Sequence, residues 1–72
     1  MEKIENRDSQ GRLIDWVIPE VDDDRYYYRV VINREDVYYA SSEEEAYTVL
    51  WELMEAREMW NLEEKIQEFN NN

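Results

Sequence analysis

The 72-residue sequence predicts an α+β fold: a three- or four-stranded antiparallel β meander, then a C-terminal α-helix packed on one sheet face, with a possible short final helix. Three observations lead there. Apolar residues alternate along residues 12–18 and 25–33, the period of a half-buried strand. Residues 42–59 contain neither Gly nor Pro and gather Ala46, Val49, Leu50 and Leu53 on one helical face. Turn-forming clusters separate these segments. The length accommodates one domain, residues 1–72.

A first strand is expected over residues 2–7. Asp8, Ser9, Gln10 and Gly11 then form a turn in which Gly11 supplies a positive φ. The second strand covers residues 12–18. Ile14, Trp16 and Ile18 share one of its faces; Leu13, Asp15 and Val17 share the other. Pro19 cannot donate to a ladder and is expected to end the strand. Residues 20–24 read as an acidic connector. The third strand, residues 25–33, turns Tyr26, Tyr28, Val30 and Ile32 one way and Arg25, Tyr27, Arg29 and Val31 the other. A four-residue loop at 33–36 leads into a fourth strand at 37–40. That register sets Ile32 opposite Val37, Val30 facing Tyr39 on the core side, and Val31 facing Tyr38 outside.

Ser41 or Ser42 opens the helix over residues 42–59, since Ser41 with Glu44 and Ser42 with Glu45 each make a capping box. Glu43, Glu44 and Glu45 sit where the helix dipole favours anions. Glu44, Glu45, Thr48, Glu52 and Glu55 fall opposite the core stripe, and Tyr47, Trp51 and Met54 flank it. Arg57 falls inside the stripe. Either the helix has run past the sheet by then, or Arg57 pairs with a carboxylate. Asn61 and Glu64 repeat the capping-box spacing ahead of a short helix at 62–69, with Leu62, Ile66 and Phe69 as its apolar contacts. The alternative is that the first helix continues. Residues 70–72 are expected to fray.

Nineteen acidic side chains oppose eight basic ones, a formal net charge of −11 with no histidine. Such a surplus raises the free energy of any compact state. A hydrophobic content of 43%, with 14% aromatic, nevertheless suffices for a core and separates the chain from disordered acidic sequences. The charge is uneven: residues 43–72 hold nine acids and two bases, residues 1–42 ten acids and six bases.

The absence of cysteine excludes disulfides and thiolate metal sites. Without His or Cys, no conventional nucleophile–base pair can be assembled. Ser9, Ser41 and Ser42 belong to a turn and a helix cap, and Lys3 and Lys65 lie near the ends. A non-enzymatic protein without cofactor is expected. Asp22, Asp23 and Asp24 lack the alternating ligands and the Gly of a calcium-binding loop, so they read as a solvated acidic loop. One glycine cannot make a phosphate-cradling loop. No apolar run reaches the ~20 residues of a membrane span, and no basic-then-apolar leader opens the chain. A soluble cytoplasmic protein is expected.

Anionic membranes and bare nucleic acids would repel this charge. The suited partner is a basic nucleic-acid-binding protein. Glu44, Glu45, Glu52 and Glu55 are spread along a helix rising about 25 Å, a spacing able to imitate a row of phosphates. Asp22, Asp23 and Asp24 add to that surface, and Tyr27, Tyr38 and Trp51 are candidate aromatic anchors. In size, charge and aromatic content the chain is similar to phage counter-defence inhibitors: those of restriction enzymes, of CRISPR effectors and of uracil-DNA glycosylase. The likeness implies an inhibitor that blocks the DNA- or RNA-binding site of its target, in the host cytoplasm if phage-encoded. The alternative is an interaction module, an antitoxin or an accessory subunit, bound through an aromatic sheet face bearing Arg25, Tyr27, Arg29 and Tyr38. A homodimer is compatible with the composition.

Overall fold

Alternation of apolar and polar residues builds the two longest strands, β2 (Leu13–Asp22) and β3 (Arg25–Ile32), flanked by β1 (Asn6–Arg7) and β4 (Glu35–Ala40). The computed structural model describes residues 4–71. Its four strands lie in the order β1-β2-β3-β4, every neighbouring pair antiparallel. Two helices follow, α1 (Glu43–Glu58) and α2 (Leu62–Asn70). Helix α1 packs on β2, β3 and β4, and α2 on α1 and β4. The fold is therefore an open antiparallel sheet with two C-terminal helices. No helix among the described residues is long and apolar enough to cross a membrane.

The core sits between sheet and α1. Val17, Val30, Ile32 and Ala40 from the strands meet Ala46, Tyr47, Val49, Leu50 and Leu53 from the helix. The predicted stripe of Ala46, Val49, Leu50 and Leu53 is buried throughout.

Several local expectations need correction. Only Asn6 and Arg7 of the expected first strand pair with β2; Ile4 and Glu5 do not, and Glu2 and Lys3 lie outside the described residues. Pro19 does not end β2. The strand runs on to Asp22, with Pro19 opposite Tyr28. Among the described residues β1 has stopped before that point, so β2 is an edge there, where a residue without N–H is accommodated. The expected acidic connector is consequently a strand end and a two-residue turn. Asp23 (φ 48°) and Asp24 (φ 67°) both adopt left-handed backbone, as the twist of a tight hairpin requires.

The next hairpin repeats the device. Ile32 pairs with Glu35, not Val37, across the two-residue turn of Asn33 (φ 53°) and Arg34 (φ 63°). A register shift between Val30 and Val31 then admits one extra residue in β4. Val30 faces Tyr38 and Arg29 faces Tyr39, one step from the expected register. The bulge sends Tyr38 to the helix side and leaves Tyr39 on the open face.

Asp15 ties these pieces together. It is the one charged residue with no exposed surface among the described residues. Arg57 of α1 donates to both carboxylate oxygens, at 2.8 and 2.6 Å. The Asn33 backbone N–H and the Asn6 side chain donate at 3.0 Å each. Arg57 also donates to Asn33 Oδ1 at 2.7 Å, fixing the left-handed turn from the helix. Arg57 in the apolar stripe thus finds a carboxylate, the second of the two expected resolutions. Burial pushes the Asp15 carboxyl up, but the bonds from Arg57, Asn33 and Asn6 outweigh it and hold the carboxyl below its ordinary value.

Residue 70 does not fray as expected. The Asn70 amide donates to the Val37 carbonyl of β4 at 2.8 Å. Asn71 caps α2, and residue 72 lies outside the described part.

Candidate functional site

Ser42 is the residue that caps α1: its hydroxyl accepts from the Glu45 N–H at 3.1 Å. The Glu45 carboxylate folds back, accepting from the Ser41 N–H (3.2 Å), the Ser41 hydroxyl (2.9 Å) and the Tyr38 hydroxyl (2.5 Å). The Tyr38 bond, then those from Ser41, lower the Glu45 carboxyl. The same contact raises the Tyr38 phenol. The Tyr38 ring also meets Phe69 edge-on at 5.8 Å. Glu45 and Tyr38, two of the expected contact residues, are thus occupied in joining β4 to the helices. Asn61, by contrast, occupies the α2 N-cap without a side-chain cap bond, so the second capping box is not formed.

The remaining helix acids face outward. Glu44 and Glu55 are exposed, Glu52 half-buried, and Glu58, which the sequence reading passed over, is exposed beside them. Of the two aromatics that flank the core stripe, Tyr47 is buried and Trp51 is not. Trp51 is 57% exposed. It shares a shallow groove of about 130 Å³ with Met54, Glu55 and Glu58. Helical spacing explains the grouping: Glu44 and Glu58 lie seven residues either side of Trp51, and Glu55 four after it. That spacing was legible, because seven residues return a helix close to the same direction.

Ion pairing divides the molecule. Arg7 pairs with Glu5, Arg12 with Asp8, Arg29 with Glu20 and Asp36, and Arg57 with Asp15. Every carboxylate in these pairs belongs to the sheet half. Among the described residues no ion pair reaches a glutamate of α1 or α2. Lys65, the other helix cation, stands over the Phe69 ring at 5.8 Å.

The turn after α1 holds a residue that the sequence reading missed. Met59 is the C-cap and Trp60 follows in left-handed backbone, φ 57°. Trp60 N–H donates to the Arg57 carbonyl (3.2 Å) and Asn61 N–H to that of Ala56 (2.8 Å). This double bond pattern ends a helix with a left-handed residue, normally Gly. A side chain there costs roughly 1 kcal/mol. Trp60 is also 97% exposed. The only sequence signal was a large aromatic between two helices where a glycine would be expected.

The aspartates Asp22, Asp23 and Asp24 stand exposed at the tip of the first long hairpin. Tyr27 lies on the open sheet face, but its aromatic partner is Tyr39, not Tyr38: the rings meet edge-on at 5.9 Å. With Arg25 they border a cleft of about 350 Å³ that includes Asp22 and Ser41. Arg29 does not join an aromatic–basic array for ligands. Glu20 and Asp36 grip it from both neighbouring strands at 2.8 Å. Apart from Glu45 and Tyr38, the expected contact residues therefore fall into two separate surfaces, the outer side of α1 and the hairpin end of the sheet.

Comparison with protein-family models, with curated proteins and with solved structures finds no match.

Proposed function

We propose that this protein is a non-enzymatic acidic docking protein that occupies the nucleic-acid site of a basic protein, as an inhibitor of the phage counter-defence kind. One observation carries the reading: the outward helix glutamates have no cationic partner among the described residues, while the sheet acids gather five ion pairs. Glu44, Glu55 and Glu58 then meet lysines and arginines that otherwise hold phosphates. Their binding steers association and weakens with salt.

The test is competition. The immobilised protein, incubated with lysate, should retain basic nucleic-acid-binding proteins that elute with rising salt and with added duplex DNA. Retention of neutral or acidic proteins, indifferent to salt and to DNA, overturns the reading.

The second reading, an interaction module bound through its sheet, is favoured by Tyr39, 63% exposed beside Tyr27. In that case Tyr27→Ala with Tyr39→Ala abolishes retention, while Glu44→Gln, Glu55→Gln and Glu58→Gln leave it intact.

A further inference from the structure

We infer that Trp60, with Trp51, anchors the basic partner by offering indole faces to its arginine and lysine side chains. The inference rests on the acidic docking reading and names the residues that give it affinity.

Two independent features of Trp60 work against folding. Its ring is almost wholly in water, and its backbone takes a conformation that glycine adopts without cost. No aromatic or cation–ring contact involves it among the described residues. A bare indole on a strained backbone contributes nothing to the core, so its use lies outside the fold. Tryptophan is the side chain most favoured as an interface anchor.

Charge selects the occupant. From Glu52 to Glu64 the chain carries five glutamates and one cation, Arg57, which is committed to Asp15. Trp51 sits in a groove walled by Glu55 and Glu58. An aromatic face next to a carboxylate suits a guanidinium or ammonium group, held by the ring quadrupole and by ion pairing together. A second copy of this chain would bring −11 against −11 and is disfavoured.

The test uses a fluorescein-labelled octa-arginine peptide as probe, read by anisotropy at low salt on the full chain. Trp60→Gly should bind at least fivefold more weakly than the parent. Its melting temperature should equal the parent's or exceed it by up to about 8 °C, since the left-handed residue is relieved. Trp51→Ala should also bind more weakly. This opposition of affinity and stability is the signature of an anchor. Equal binding by Trp60→Gly overturns the inference and leaves the docking reading standing. Failure of the parent to bind the peptide removes the docking reading and the inference with it. A lower melting temperature in Trp60→Gly makes Trp60 a packing residue and overturns the inference. So does a parent dimer that Trp60→Gly dissociates, or Trp60-dependent binding to phosphatidylcholine vesicles.

Discussion

The sheet and the helical layer carry similar numbers of carboxylates and use them in opposite ways. On the sheet, Arg29 spans three strands between Glu20 and Asp36, and Asp8 folds its own turn by accepting from the Gln10 and Arg12 N–H groups at 2.9 Å each. On the outer side of α1, Glu52, Glu55 and Glu58 follow one another at three-residue intervals, a ladder of like charges that destabilises a helix. Net charge alone therefore says little about an acidic protein. What matters is which carboxylates the fold has already consumed. Glu45 and Asp15 are consumed; Glu44, Glu55 and Glu58 are spare.

Substitutions can break this contrast. The largest effect belongs to Asp15→Ala, which leaves Arg57 without its partner and frees the Asn33 turn. It should cost about 3 kcal/mol in urea unfolding, at the low end for a buried pair because Arg57 keeps some access to water. A loss below about 1 kcal/mol would show that the network only fills space.

Acid titration comes next. Asp15 and Glu45 have carboxyls lowered in the folded state. Their contribution is full above the unfolded carboxyl pKa near 4 and is lost as pH falls through the folded values. Thermal melts should therefore be level from pH 7 to about 5 and fall steeply below about 4. Asp15→Ala should flatten the acid fall; an unchanged slope would place the sensitivity elsewhere.

Tyr38→Phe removes the hydroxyl that Glu45 holds. We expect a loss of about 1 kcal/mol, discounted for partial exposure, with an upward shift of the Glu45 carboxyl visible by NMR titration.

The smallest effects decide the comparison by sign. Glu55→Gln relieves two like-charge neighbours and should stabilise by about 0.5 kcal/mol at low salt. Glu20→Gln removes a sheet ion pair and should destabilise by about the same amount. The first difference should fade in high salt. Matching signs would mean the two layers are electrostatically alike.

Much of this was legible in the sequence, and the failures share a cause. Strand alternation and the core stripe of α1 follow from side-chain spacing, which a linear sequence displays; the same spacing left the cap open between Ser41 and Ser42, and left Arg57 open between overshooting the sheet and meeting a carboxylate. Hairpin geometry does not. Type and register of a turn depend on φ signs, and the residues that signal positive φ are Gly and Asn. Asp23-Asp24 and Asn33-Arg34 make such turns with no glycine and a single asparagine, a signal too weak to shorten the expected loops. The one-residue bulge in β4 then exchanged Tyr38 for Tyr39, because a slip of one inverts the face of a side chain. Trp60 was hidden for the same reason, since its left-handed backbone is uncommon for a bulky residue.

Asn70 holds a less obvious consequence. By donating to Val37 it occupies a carbonyl on the outermost strand, a margin that would otherwise invite strand addition and amyloid-like stacking. The bond comes from α2, the helix without a buried residue. A single side-chain amide thus ties the last helix to the margin of the sheet.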